Sequence, residues 1–167
     1  VDTDADGGGE FGYFGELSGV FPLRVYDVPS AGPGIGTSPD DLLDPPALPT
    51  TFGEFVADGS GEGVVERQGY YYKLFLPGSP VGGSVPGVGE QAGGGADPGH
   101  LPASADSEIL WSCYAWPVDA EKTGNRAFFV NQEGEILQYD NRDQAYEGVE
   151  SGSFPRFDAA YSNETGG

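Results

Sequence analysis

Hydrophobic and polar positions alternate with a period of two through the middle of this chain. In Gly69–Leu76, Tyr70, Tyr72, Leu74 and Leu76 fall on one face of an extended backbone and Tyr71, Lys73 and Phe75 on the other. Val64-Val-Glu-Arg67 reads as a second strand beside it. Over Glu108–Trp116, Ile109, Trp111, Cys113 and Ala115 oppose Leu110, Ser112, Tyr114 and Trp116. Both sets carry large apolar groups, which predicts a central strand covered on both sides. Arg126–Asn131 and Glu135–Tyr139 predict a hairpin around Gln132-Glu133-Gly134, with Gly134 supplying the positive φ of the turn.

Outside this region the pattern is weaker. Phe11, Phe14 and Leu17, spaced by three, suit a helical turn ending at Gly19, and Val20–Tyr26 a brief strand. Ser38-Pro-Asp-Asp-Leu-Leu43 has the signs of a helix start, with Ser38 as cap and Pro39 at the first position, and Pro45-Pro46 stops it. Residues 77–107 predict a long mobile loop of Gly, Pro, Ser and Ala. Residues 141–167 predict a polar tail with Tyr146, Phe154, Phe157 and Tyr161 as packing anchors. A helical turn followed by consecutive strands predicts an α+β fold built on an antiparallel sheet. One domain spans 1–167 and opens on an acidic Gly-rich loop, residues 1–10.

The chain has 167 residues, enough for one core, and its 29 Gly and 14 Pro concentrate in the loops. With 27 acidic against 7 basic residues the net charge is −20. That field repels nucleic acid and anionic membrane surfaces and suits a soluble protein in a salty medium. The one cysteine, Cys113, excludes an intrachain disulfide and reads as a small buried group in a strand. No run of about 18 apolar residues is present. The chain opens on Val1 and contains no Met, which predicts a leader and an apolar helix upstream.

Candidate chemistry is sparse. Asp2-x-Asp4-x-Asp6-Gly7 has the alternating carboxylates of a calcium loop, and the Gly8 carbonyl and Glu10 complete the candidate set. Tyr13 stands where an EF-hand needs its bidentate acid. A solvated acidic terminus is the alternative. His100 and Cys113 do not make a convincing nucleophilic or zinc arrangement. The many carboxylates dilute any glycosidase signal, and Glu66 and Glu108 read as sheet-edge charges. Gly93-Gly-Gly-Ala lacks the lysine of a phosphate loop. Tyr70-Tyr71-Tyr72 with Trp111 and Trp116 suggests a sugar platform, though core packing explains the same residues. Asn163-Glu-Thr165 fits a glycosylation sequon.

Four segments carry a resemblance: Asp2–Gly19, Gly69–Pro77, Tyr114-Ala-Trp-Pro117 and Gly124–Gly134, the last with Phe-x-Val-Asn-x-x-Gly over Phe128–Gly134. Over about half its length the chain resembles the soluble headgroup of bacterial type IV pilin-like proteins, in the pseudopilin group linked to type II secretion. The resemblance implies a non-enzymatic structural subunit of a filament or secretion assembly, extracellular or periplasmic, which joins other subunits through an upstream helix. It implies a structural calcium ion, with Asp2, Asp4 and Asp6 as ligands and Gly8 and Glu10 as weaker ones. A secreted ligand- or carbohydrate-binding module and an acidic-residue hydrolase are the competing readings.

Overall fold

The computed structural model describes residues 1–161. β1 (Arg24–Asp27) and β2 (Gly32–Ile35) form a small hairpin of their own. The remaining strands are β3 (Phe55–Ala57), β4 (Gly63–Arg67), β5 (Tyr70–Pro77), β6 (Gly87–Val88), β7 (Ser112–Pro117), β8 (Arg126–Asn131) and β9 (Ile136–Asp140). They make one antiparallel sheet in the order β3-β4-β5-β7-β8-β9, with β6 paired to the end of β5. β5 pairs with β7 over six residues, from Tyr70↔Pro117 to Phe75↔Ser112.

Turn chemistry sets the register. Gln68 and Gly69, with φ of 52° and 81°, make the two-residue turn that joins β4 to β5. Two consecutive positive φ values match the right-handed twist of the flanking strands. Between β8 and β9, Gly134 has φ of 73°, as its position in the hairpin predicts. Asn131 Oδ1 accepts a hydrogen bond from Glu133 N at 3.0 Å, and the Asn131 carbonyl accepts from Gly134 N at 2.9 Å.

The sheet is packed on both faces. Leu74, Leu76, Cys113 and Val65 face a cluster that the N-terminal segment completes with Tyr13, Phe14, Leu48 and Phe52. Tyr71, Phe75, Tyr114, Trp116 and Phe129 face the opposite cluster, which Tyr146, Val149, Phe154 and Phe157 close. The alternation in β5 and β7 thus sorts residues between two cores, and both faces are covered at the Leu74–Cys113 level, as the apolar pattern predicts.

The α+β expectation does not hold: this is a small β domain. Its α-helix among the described residues is α1 (Phe14–Leu17) and α2 (Ser104–Ser107), four residues each, beside three one-turn 3₁₀ segments. The Phe11-Phe14-Leu17 spacing supports one turn only, because Gly19 takes φ of 68° and ends it. The Ser38 cap also forms, on a single 3₁₀ turn at Pro39–Asp41. Two other expectations change. The 77–107 segment is not structureless: β6 pairs with Leu76 and Pro77, and Gln91 bridges to Glu62. Its order comes from backbone pairing, which leaves no hydrophobic period in the sequence. The strand expected from Glu108 starts at Ser112, after the turn of α2, and leaves Ile109 and Leu110 exposed. Residues 141–161 cover one face of the sheet with the spaced aromatics expected as packing anchors. The sequon at Asn163 lies outside the described residues. No helix among the described residues is long and apolar enough to cross a membrane.

Candidate functional site

The acidic N-terminal loop is built by its own side chains. Asp2 Oδ1 accepts from Ala5 N at 2.8 Å, Asp4 Oδ1 from Asp6 N at 3.3 Å, and Asp6 Oδ1 from Gly8 N at 2.7 Å. These turns bring carboxylate oxygens of Asp2, Asp4 and Asp6 within 4.8 Å of one another, all exposed. Glu10 is not among them. It is buried, its Oε1 accepting from Thr3 N at 2.7 Å and its Oε2 lying 3.0 Å from Arg24 Nη1. Gly8 sits against Glu108, so closely that any side chain there would run into the Glu108 carboxylate. Glu108 is thus no sheet-edge charge. Its Oε1 is occluded and unpartnered, and desolvation, then the charges of Asp6 and Asp4, push its pKa up. Exposed acidic clusters of this kind are common without an ion, and nothing in the donor set selects calcium.

Arg24 is the hub behind the loop. Its guanidinium Nε lies 3.0 Å from Glu16 Oε1, it pairs with Glu10, and it stands 5.3 Å from the centre of the Tyr13 ring. Glu16 also accepts from the backbone amides of Tyr13 and Arg24, each at 2.8 Å. A buried guanidinium shared by two carboxylates locks residues 3–24 together, because removing any member strands a charge away from water.

Two further buried groups are used the same way. Glu90, from the 77–107 segment, accepts from Gly15 N at 2.8 Å and from Gly95 N at 3.2 Å, tying that segment to the start of α1. Burial, against these amide donors, pushes its carboxyl up to about 8. Lys73 points from β5 into the second core. There it pairs with Asp58 and, at 2.7 Å, with Glu62, and stands 4.9 Å from the centre of the Phe154 ring. Sequence reasoning missed Arg24, Glu90, Lys73 and Asp58 because no motif spacing marks them. The signal was scarcity: in an acid-rich chain, a cation on an apolar strand is a pairing centre.

Cys113 and His100 stand in different surroundings. Cys113 is buried in β7, and burial pushes its thiol up to about 12. His100 is exposed on a turn, its Nδ1 3.0 Å from Asp97 Oδ2. The sugar platform is also split. Tyr71 and Trp116 stack inside the second core at 5.9 Å, while Tyr70 and Tyr72 point to the opposite face.

That opposite face is only half covered. The N-terminal segment reaches Tyr72, where Phe52 meets its ring at 6.1 Å. Beyond it an open hollow of about 570 Å³ is lined by Tyr70, Tyr72, Ala115, Phe128, Val130 and Ile136. Tyr70 and Phe128 lie 6.1 Å apart along its floor. The hollow ends at β9, the last strand of the sheet, whose residues are all exposed, Ile136 by 70%.

Fold and site together define a small antiparallel β domain with buried ion pairs centred on Arg24 and Lys73 and a partly apolar, open sheet face. No family model, curated protein or solved structure matches the chain.

Proposed function

We propose that this chain is a non-enzymatic structural domain that acts by association, joining further subunits of one assembly through the open half of its sheet and the β9 edge. The observation that carries this reading is the hollow over Tyr70, Phe128, Val130 and Ile136, an apolar face continuous with a core and left open by the described residues. Large exposed apolar patches mark interaction surfaces. β9 adds a free row of backbone donors and acceptors, and it carries neither Lys nor Pro to block pairing. An antiparallel edge also suits a second copy. Centred on Gln138, the pairing sets Leu137 against the Tyr139 position of the other strand, an apolar pair of the kind that stabilises sheets. The exported pilin-like subunit that the sequence resembles is one form of this proposal.

The test uses the native full-length protein. Ile136→Lys and Phe128→Ser are compared with wild type for assembly by cross-linking and sizing, and for melting temperature in the isolated domain. Loss of assembly with the domain still folded is the expected result. Assembly at wild-type level in both variants would sink the proposal. Filaments seen by electron microscopy in envelope fractions separately test the pilin-like form.

A further inference from the structure

We propose that a second cleft, where β5, β7 and β8 meet the C-terminal segment, recognises a cationic group: a protonated amine or a guanidinium. The cleft, about 450 Å³, opens between the ends of these strands and residues 157–161. It lies at the strand ends and shares no lining residue with the hollow over Tyr70 and Phe128. Its volume falls in the range of small-ligand sites. Phe157 and Tyr161 give it aromatic walls, Phe75 lies at its base, packed edge-on against Phe157 at 6.4 Å, and Trp111 lines it while its ring packs toward the first core. Glu133 and Asp158 line it as well, and no Lys or Arg is among its lining residues.

This combination selects by charge. The faces of aromatic rings carry negative potential and attract cations within about 6 Å of their centres. Two carboxylates beside such rings favour a cation further and repel an anion, in a chain whose net charge is already −20. The walls are held in place. Tyr161 packs edge-on against Phe129 at 5.3 Å, and its hydroxyl accepts from Asn131 Nδ2 at 3.1 Å. Trp111 leans on Phe11 at 6.1 Å. Asp158 already attracts one cation: Arg156 Nε stands 3.5 Å from its Oδ1 on an exposed side chain. A surface pair of that kind is weak, so an incoming cation displaces it. Lysine or arginine side chains of a peptide and free alkylamines share the required chemistry.

The test is an NMR titration of the 1–167 chain, following the Phe157 and Tyr161 ring resonances. The probes are tetramethylammonium, methylguanidinium and an N-acetyl-lysine amide. Their neutral counterparts are tert-butanol, N-methylacetamide and an N-acetyl-norleucine amide, with a neutral monosaccharide as a further arm. The proposal expects each cation to bind about tenfold more tightly than its counterpart. It also expects Glu133→Gln with Asp158→Asn to bring the two together at unchanged melting temperature. Stronger binding of the lysine amide than of the free ions identifies a peptide as the source, and the reverse identifies a free amine. Equal response to cation and counterpart overturns the proposal. So do a response to the sugar alone and cation shifts that survive the double substitution. Failure here leaves the assembly reading intact, because that reading rests on a different set of residues.

Discussion

Glu90 gives this fold a pH dependence of its own. Its carboxyl is held at about 8 by burial, against an ordinary value near 4.5. The folded state therefore keeps a proton that the unfolded chain gives up earlier. The unfolded state binds fewer protons between these values, so this group's stability is complete below about pH 4.5 and is lost progressively as pH rises to 8. Glu90→Gln keeps an oxygen for the Gly15 and Gly95 amides and removes the titration. Thermal melts from pH 5 to 8.5 should show wild type falling relative to Glu90→Gln, and parallel curves would contradict the assignment. Glu108 makes the second prediction at this scale. Its carboxylate is crowded by those of the Asp2–Asp6 loop, so Glu108→Gln should melt above wild type in chelator. If the loop holds calcium, adding the ion should cancel or reverse that gain.

At the scale of the element, β8 separates two roles in adjacent residues. Phe129 is buried in the second core, 5.0 Å from Tyr114, whereas Phe128 is half-buried on the open face. Phe129→Ala should therefore cost about 3–5 kcal/mol. Phe128→Ala should cost only about 1–2 kcal/mol, since the transfer free energy scales with the area already removed from water. Chemical denaturation of both variants checks the contrast, and equal losses would mean the hollow is filled in solution. The strands were the legible part of the sequence. Period two in β5 and β7 and Gly134 in the hairpin are local signals that packing reinforces. β2, β3 and β6 escaped, because Gly32-Pro-Gly-Ile35, Phe55-Val-Ala57 and Gly87-Val88 are too short or too rich in glycine to show a period. The site was less legible than the fold. Asp2, Asp4 and Asp6 converge as their spacing predicts, but Glu10 turns inward to Arg24, a partner 14 residues away that no local pattern announces. Glu90 meets Gly15 across 75 residues for the same reason.

The whole molecule combines an apolar face with a net charge of −20, and the two oppose each other in any association between copies. Like-charged domains repel over the screening length, which falls from about 10 Å at 0.1 M salt to about 3 Å at 1 M. Association through the open face should therefore strengthen with ionic strength, whereas contacts built on ion pairs would weaken. The two-sided core also explains how one sheet carries both roles. Residues 141–161 cover one face, and the N-terminal segment, pinned by Arg24 and Glu90, covers the other over β4, β5 and the Cys113 end of β7, leaving the hollow over Tyr70, Phe128 and Ile136 open among the described residues. The measurement that tests this account most directly is sedimentation of the 1–167 chain and its Ile136→Lys variant from 0.05 to 2 M sodium chloride at high protein concentration. The substitution lowers the net negative charge, so repulsion alone would make the variant associate more readily. The account predicts that wild type forms dimers or larger species as salt rises while the variant stays monomeric. A variant that associates as well as wild type, or a wild type that associates best at low salt, would contradict it.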